Sequence, residues 1–398
     1  MPSHPPRLIT LTLLTGLAAV AFNMILPSLP SMARDLAARE SVTALAVSGY
    51  MLASAFFQLT LGPLSDRWGR RPVMLTALGV FALASLGCML ADNVLVLLVC
   101  RVLQAVVIAG AVVSSAAIRD QYSATESAAK LSLIASAMAV APMLGPMFGG
   151  MLDVTLGWRS VFALYAGLAG VLLVVAWLDM GETRAPGLPA PRWADFLALA
   201  QAGRYWAYVL CTAFSVGAFY VFVTGVPYVA TAVWGLSPAE VGLGVGSITG
   251  GFLVGAAVSA RQGRRLGPGV LLVAGRVVSV VAMALAAALY LVGLSHPLAL
   301  FGLTLFVGLG NGLTLPNANA GAMSVRPALA GTAAGLSGAI SMVLGALLST
   351  LTAVVIEHSR SPGVLLLLIL GCTLASLAAA LVAVRLERKA IPPFAPGR

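Results

Sequence analysis

The sequence predicts an all-α membrane protein with twelve transmembrane helices in two bundles of six. Apolar residues make up 60% of the 398 positions and charged residues only 9%, whereas soluble domains carry about 25% charged residues. Apolar runs of the roughly 20 residues that cross a bilayer recur along the whole chain. One polar stretch with several prolines divides these runs into two equal sets. A soluble protein is therefore excluded.

Twelve apolar runs qualify as spans. The first is longer than a signal-peptide core and lacks a clear small-residue cleavage site, so we expect it to be retained as a helix. The predicted spans are 7–29, 43–62, 73–91, 94–118, 130–152, 160–179, 205–232, 239–260, 269–293, 297–319, 329–356 and 363–384.

The domain boundaries follow from the polar stretch after the sixth span. We predict an N-terminal six-helix bundle at 1–180, a cytoplasmic linker at 181–204, a C-terminal six-helix bundle at 205–384 and a cytoplasmic tail at 385–398. Two bundles joined by a linker are the arrangement expected of a transporter built from repeats.

The distribution of basic residues predicts the orientation. Most of the 23 lysines and arginines fall between spans on the side that also holds both termini. Only Arg34, Arg39, Arg159 and Arg360 fall on the other side. Because basic residues collect in cytoplasmic loops, we expect both termini in the cytoplasm. The net charge of +10 is scattered between apolar runs, which excludes nucleic acid as a partner.

A cationic turn is predicted between spans 2 and 3, over 62–72. Gly62 and Gly69 permit a close backbone approach. Asp66 is expected either to pair with a neighbouring arginine or to face a helix N-terminus. The plainer alternative is an ordinary surface loop, because basic residues anchor any membrane protein on its cytoplasmic side.

The order of residues in this turn, G-x-L-x-D-R-x-G-R-R, resembles the loop between helices 2 and 3 of the major facilitator superfamily. The resemblance implies a fold of two six-helix bundles around a central cavity. It also implies that the loop latches a gate at the cytoplasmic end of the interface between the bundles. The gating residues so implied are Gly62, Asp66, Arg67, Gly69 and Arg70.

The second half repeats the first weakly. Residues 261–267, between spans 8 and 9, stand where a parallel repeat would place the partner of the first loop. This stretch keeps three arginines and two glycines but has no acidic residue. It looks like a degenerate copy.

A charged residue lies inside span 4. Arg101 is followed three residues later by Gln104, which falls on the same helix face. A buried guanidinium normally faces a cavity or a partner, although this one could also extend to the outer interface. Together with Arg119 and Asp120 at the cytoplasmic end, the R-x-x-Q-A order resembles the drug:proton antiporters. The resemblance implies a cavity-facing arginine that sets the protonation of a nearby carboxylate, and a gating role for Arg119 and Asp120.

Span 5 carries prolines and glycines at regular spacing. Small residues four apart allow close helix packing, and prolines remove backbone donors. Packing alone could explain them. The G-P-x-x-G-G order also resembles the antiporter motif associated with exporters. Its residues here are Pro142, Gly145, Pro146, Gly149 and Gly150.

Aromatic and amide residues in spans 2, 7 and 10 resemble the bicyclomycin/chloramphenicol-resistance branch of these antiporters. Each aromatic residue alone is explained as readily by packing or by an interfacial belt. As a set they suit a cavity for a bulky, partly apolar solute. The resemblance implies a bacterial inner-membrane location and protons as coupling ion. The predicted substrate-binding residues are Asn23, Tyr50, Gln58, Arg101, Gln104, Tyr220, Phe222 and Asn317.

One position departs from that branch. Its first helix ends with an acidic residue, whereas this chain has Asn23, which cannot titrate. No acidic residue falls well inside a span. Three couplings therefore stay open: Asp66 or Asp120 at the cytoplasmic end, His296 at the outer end, or no coupling to protons.

The predicted function is export of drug-like compounds by alternating access, coupled to proton antiport. The alternative within the same fold is a proton-independent facilitator or metabolite exporter. A membrane enzyme or receptor finds no support, because the sequence has no metal-ligand cluster, nucleophile–base arrangement or phosphate loop. We expect no cofactor, no metal and a monomer.

Overall fold

The computed structural model describes residues 6–123, 126–127, 130–131, 133–134, 141–183, 199–326 and 329–390, and their regular structure is helical. Two short 3-10 segments, Leu26–Ser28 and Ala105–Ile108, interrupt the first and fourth spans. The helices of the first half are α1 (Leu8–Asn23), α2 (Leu29–Asp35), α3 (Glu40–Trp68), α4 (Arg70–Met89), α5 (Val94–Gln104), α6 (Ala109–Gln121), α7 (Ala141–Leu156) and α8 (Arg159–Asp179).

The second half consists of six long helices that run up and down. They are α9 (Gly203–Trp234), α10 (Pro238–Leu266), α11 (Pro268–Leu291), α12 (Pro297–Ser324), α13 (Ala330–Ser359) and α14 (Pro362–Ala390).

Eleven helical segments within the described residues are long and apolar enough to cross a membrane, which confirms the predicted class of all-α membrane protein. The predicted span at 130–152 lies partly outside the described residues, and most of its described part belongs to α7. Most of the predicted linker at 181–204 also lies outside them, so the domain boundaries stay a prediction.

The first span is broken close to its middle. α1 ends at Asn23, and α2 begins only after the 3-10 segment. Pro27 and Pro30 lack backbone N–H groups and cannot continue the hydrogen-bond ladder of an α-helix. The break therefore follows from the prolines, and it leaves Asn23 at a helix end inside the bundle.

The turn predicted over 62–72 is much shorter than expected. α3 continues through Pro63 to Trp68, and α4 begins at Arg70, so Gly69 alone forms the turn. Its φ of 99° is a conformation that favours glycine. The prediction failed because the fall in hydropathy after Leu61 marks where the span becomes polar, not where the helix ends.

The two halves meet along two pairs of helices, α3 with α13 and α7 with α10. We call the end of the bundle that holds the turns at Gly69 and Gly267 the basic end, because arginines flank both turns. The end that holds Glu40 and Arg360 is called the opposite end.

Within the second half, α10 and α12 cross at backbone contact. A Cβ added to Gly251 would overlap the carbonyl of Leu305, and one added to Gly308 would overlap the carbonyl of Ile248. Small residues at such crossings let two helices approach closely, which is a main source of stability between membrane helices.

Gly308→Ala is expected to destabilise the second half by about 1–3 kcal/mol, because α10 and α12 must separate to admit the methyl group. The measurement is the thermal unfolding midpoint of the purified protein in detergent. Gly302→Ala in the same helix is the control, since a Cβ there meets no atom within 4 Å. Equal midpoints for the two variants would contradict the proposed packing.

Candidate transport site

A cavity of about 270 Å³ lies between the two halves. The first half supplies most of its wall, from α1, α3 and α6, and the second half adds single residues from α9 and α13. Most of the lining is apolar or aromatic. Its largest side chains, with one amide, belong to Phe22, Asn23, Tyr50, Met51, Tyr220 and Met342.

Phe22 is the centre of an aromatic wall. Its ring centroid lies 5.9 Å from that of Tyr50 and 5.4 Å from that of Tyr220, the latter in an edge-to-face arrangement. Phe219 extends the group, 5.7 Å from Tyr220. Because Tyr220 belongs to the second half, this contact joins the halves through aromatic side chains. The sequence analysis named Tyr50 and Tyr220 but missed Phe22.

Arg101 lies behind this wall and not in it. The side chain is fully buried, with its guanidinium carbon 4.4 Å from the centroid of the Tyr50 ring. Nε donates to the carbonyl of Ala46 at 3.2 Å, and Nη1 donates to that of Ala21 at 3.3 Å. Arg101 therefore neither extends to the outer interface nor lines the cavity, and its guanidinium contacts the Tyr50 ring, which does line it.

Gln104 completes the shell around the guanidinium. Its Oε1 accepts from Nη1 of Arg101 at 2.8 Å, and its Nε2 donates to Oγ of Ser85 at 2.7 Å. The prediction that Arg101 and Gln104 share a face is thus confirmed. The group ties α5 to α1, α3 and α4. Ser85 was missed by the sequence analysis.

Arg101 contacts no carboxylate among the residues that the structure describes. A fully buried cation is costly without compensation. Here the compensation comes from two backbone carbonyls, the Gln104 amide oxygen and the face of an aromatic ring. Nη2 has no hydrogen-bond partner. The arrangement therefore places a positive potential directly behind the aromatic wall.

Asn23 contributes to the wall an acceptor that has no hydrogen-bond partner. Its Nδ2 donates to the carbonyl of Ala19 at 2.7 Å, whereas its buried Oδ1 has no partner. Because the residue lines the cavity, this oxygen can accept a hydrogen bond from a bound molecule.

Three other predicted residues lie away from the cavity. Phe222 is buried and packs edge-to-face on Phe301 within the second half. Asn317 donates to Oγ of Ser259 at 2.9 Å, between α10 and α12. Gln58 lies against Gly338 of α13, at the contact between the halves.

At the basic end, Arg70 is the centre of a group of polar side chains. Its guanidinium lies 2.6 Å from Asp66 and 3.0 Å from Asp120, and it donates to Oγ of Ser65 at 2.6 Å. The side chains of Arg70 and Asp120 are only 7% and 3% exposed. Of the two placements expected for Asp66, the structure shows the ion pair.

A different carboxylate faces the helix N-terminus. Glu182 accepts from the backbone N–H groups of Arg70 and Arg71, at 2.8 and 3.3 Å. The positive end of the α4 dipole favours such an anion. A side chain at Gly69 would collide with this carboxylate. The sequence analysis assigned Glu182 to the linker, although its position just after the sixth span was the available signal.

The remaining gating residues have looser surroundings. Gly62 lies within α3 and packs loosely on Val112, where a Cβ would be 3.9 Å away. Arg67 occupies the last turn of α3. Arg119 is exposed in the last turn of α6 and makes no ion pair with the described residues.

Two glycines of the span 5 motif pack on the broken first span. A Cβ on Gly149 would overlap the carbonyl of Met24, and one on Gly145 would lie 3.0 Å from Cβ of Asn23. The motif therefore sets the position of the helix end that presents Asn23 to the cavity.

The motif also forms part of the contact between halves. A Cβ on Gly150 would overlap the carbonyl of Pro238, and one on Gly242 would overlap that of Pro146. These reciprocal contacts let α7 and α10 run together without intervening side chains. Pro142 lies in the first turn of α7.

Three polar contacts join the halves at the opposite end. Arg360 lies 3.6 Å from the Glu40 carboxylate, and the backbone N–H of Ser41 donates to Glu357 at 3.0 Å. The Tyr228 hydroxyl donates to the carbonyl of Glu40 at 3.1 Å. These contacts hold the two halves together at this end. The sequence analysis counted Tyr228 among the aromatic residues suited to a cavity and assigned no role to the others.

The second half contains its own buried guanidinium. Arg276 of α11 donates to Thr314 and Asn311 of α12, both at 2.8 Å. Ser215 of α9 donates to the same Asn311 oxygen at 2.8 Å. This group joins three helices within one half and lies apart from the cavity lining. The sequence analysis placed Arg276 in a span without assigning it a role.

Family comparison identifies this architecture. A family model described as Major Facilitator Superfamily matches residues 11–350. The chain belongs to the major facilitator superfamily. It is a transporter and not an enzyme, and the predicted resemblance is confirmed.

Curated relatives within the superfamily carry drug-resistance names. The chain is 35% identical over 214 residues to a chloramphenicol resistance protein of Pseudomonas aeruginosa, a match that spans 53% of this chain and 51% of that protein. It is 30% identical over 373 residues to multidrug resistance protein D of Escherichia coli strain K12, covering 92% of each chain.

Solved structures agree on the fold. A bacterial homologue of the human lysosomal transporter Spinster superposes with a TM-score of 0.78 over 98% of each chain, at 16% identity. A D-xylose–proton symporter superposes with a TM-score of 0.76 over 94% of this chain and 96% of its own, also at 16% identity. These matches confirm the predicted major-facilitator fold.

Arg70→Gln is expected to lower the free energy of unfolding by on the order of 3 kcal/mol, because it leaves Asp120 buried without its cation. Arg70→Gln/Asp120→Asn should recover part of the loss. Thermal unfolding in detergent provides the measurement. Arg119→Gln, which removes an exposed arginine from a neighbouring helix, is the control. If Arg70→Gln and Arg119→Gln unfold at the same temperature, Arg70 is not the centre that we describe.

Proposed function

We propose that the chain exports small, partly apolar, drug-like compounds across a bacterial inner membrane by alternating access. The observation that carries this proposal is the cavity between the halves, with its aromatic wall and few polar groups. Such a lining suits ligands recognised mainly by shape and apolar contact. The resistance names of the relatives support the same substrate class. In this proposal the basic end is cytoplasmic, as are both termini, and the protein works as a monomer.

The substrate would bind against Phe22, Tyr50 and Tyr220. Aromatic faces accept flat or lipophilic molecules of different shapes, and Met51 and Met342 adapt to irregular contours. The free Oδ1 of Asn23 supplies one directional contact for a hydroxyl or amide donor on the substrate. Arg101 adds a positive potential through the Tyr50 ring, which favours carbonyl-rich or anionic substrates.

The gates follow from the contacts at the two ends. Opening toward the outside requires separation of Glu40 and Ser41 from Arg360, Glu357 and Tyr228. At the basic end, Asp66, Arg70 and Asp120 bind one another within the first half. We infer that this latch holds the cytoplasmic ends of α3, α4 and α6 as one unit while the halves rock.

We propose that export is coupled to proton antiport through the latch. A proton on Asp66 or Asp120 would remove one of the two anions that hold Arg70, so protonation would loosen the latch. His296 fits the coupling role less well, because its Nδ1 accepts from the backbone of Leu298 and caps α12.

A second candidate is a proton-independent facilitator or metabolite exporter. One observation favours it: Arg101 meets no carboxylate in the described part of the chain, and Asn23 stands where the resemblance places an acid. The following experiment separates the two candidates.

Energised inside-out vesicles carrying wild-type protein should accumulate a labelled phenicol and should lose their pH gradient as they do so. Arg101→Ala should reduce accumulation at least tenfold while the protein still inserts, because Tyr50 loses its support. Arg326→Gln, an exposed arginine outside the site, is the control. Accumulation without proton movement would support the facilitator, and absence of accumulation of any phenicol, cation or sulfonamide would contradict export of drug-like compounds.

Tyr220→Ala should raise KM for an accumulated compound about fivefold, because an aromatic contact contributes about 0.5–1.5 kcal/mol. Phe56→Ala removes an aromatic ring of α3 that is exposed on the outside of the bundle, and its KM should match that of the wild type. Initial uptake rates over a range of concentrations give both values. Equal KM values for the two variants would argue against binding at the aromatic wall.

A further inference from the structure

Four of the exposed arginines at the basic end of the second half lie near the ends of α10 and α14. Arg261 and Arg265 belong to the last turns of α10, and Arg385 and Arg388 belong to the last turns of α14. None of the four forms an ion pair with the described residues. The neighbouring Glu387 does not neutralise them, because its carboxylate accepts from the Tyr208 hydroxyl and faces Arg204.

Both pairs continue helix faces that carry exposed apolar residues, and we infer that lipid covers these faces. On α10, the exposed residues Val254 and Val258 precede Arg261 and Arg265 at spacings of three and four. Residues at this spacing share one side of a helix. The arginines therefore stand where the apolar outer surface of the bundle meets the headgroup layer.

The same pattern occurs on α14. Leu374 and Leu381 are exposed on its outer side, and Arg385 and Arg388 follow one turn further along. Arginine in this position lays its methylene groups along apolar surface and presents its charge to the headgroups.

The two pairs flank the start of α11. A Cβ built on Gly269 would lie 3.4 Å from Cγ2 of Val384, the residue before Arg385. Arg265 precedes α11 by only three residues. The ends of α10 and α14 and the beginning of α11 thus share one corner of the bundle.

The corresponding place in the first half is filled by a carboxylate. Gly69 and Gly267 have similar backbone conformations, with φ of 99° and 79° and ψ of 152° at both. Glu182 caps the helix that follows Gly69. The helix that follows Gly267 has no side-chain cap among the described residues. The positive end of its dipole therefore adds to the four arginine charges.

We propose that this arginine surface, formed by Arg261, Arg265, Arg385 and Arg388, binds the phosphate of an anionic glycerophospholipid in the leaflet around the basic end. The chemistry selects phosphate, because guanidinium groups and a helix N-terminus both bind it well. The position on the lipid-facing side selects a lipid and not a soluble anion. Valine and leucine side chains next to the arginines receive its acyl chains.

The test is native mass spectrometry of the purified full-length protein in detergent, titrated separately with phosphatidylglycerol and phosphatidylethanolamine. Wild type should bind the first phosphatidylglycerol at least fivefold more tightly than phosphatidylethanolamine. Each basic residue near a lipid surface contributes about 1 kcal/mol, so Arg385→Gln/Arg388→Gln should weaken phosphatidylglycerol binding roughly 25-fold.

Two further double variants separate charge from folding. Arg385→Lys/Arg388→Lys keeps the charges and should bind within about threefold of wild type. Arg34→Gln/Arg39→Gln removes two exposed arginines at the opposite end and should leave binding unchanged. The proposal would be overturned if both double variants to glutamine lost the same affinity for phosphatidylglycerol. It would also be overturned if wild type bound the two lipids equally well. Displacement of phosphatidylglycerol by equimolar glycerol 3-phosphate would overturn the assignment to a lipid.

Discussion

The buried charge of Arg101 is the constraint on which the architecture of the site depends. In a membrane-embedded bundle, a guanidinium must satisfy its N–H groups within the protein. Arg101 satisfies Nε and Nη1 with carbonyls of α3 and α1 and the amide of Gln104, and its guanidinium lies over the ring of Tyr50, whereas Nη2 is left without a partner. These bonds fix α1 just before its break and fix the rotamer of Tyr50. The shape of the cavity wall is thus a consequence of neutralising one cation without a carboxylate.

The fold class and part of the site could be predicted from the sequence, because both depend on properties that are local to the chain. Hydropathy locates the spans because the bilayer sets the length and the composition of a transmembrane helix. A spacing of three residues places Gln104 beside Arg101 on the same helix face. Sequence reasoning could not locate Phe22, since only tertiary packing brings Phe22 and Tyr220 together. It placed Phe222 and Asn317 in the cavity because helical periodicity does not say which neighbour a face meets. The length of the turn at Gly69 was misjudged because polarity and helix ending are different properties.

The two halves pair their arginines at the basic end with different groups. The first half neutralises its turn internally, through Arg70, Asp66, Asp120 and Glu182. The second half has no acid in the matching turn and instead pairs Arg204 with Glu387 across α9 and α14. Residues 261–267 contain no acid, and the exposed Arg261 and Arg265 make no ion pair with the described residues.

The contacts that hold the two halves together at the opposite end involve backbone groups as much as side chains. Tyr228 donates to the carbonyl of Glu40, and Glu357 accepts from the N–H of Ser41. Substitutions at positions 40 and 41, except proline at 41, leave those backbone atoms in place. The cavity wall, by contrast, consists of side chains that any single codon change can replace. Substrate range and mechanical closure are therefore separable in evolution, and selection by a new toxic compound can reshape the wall while the closing contacts persist.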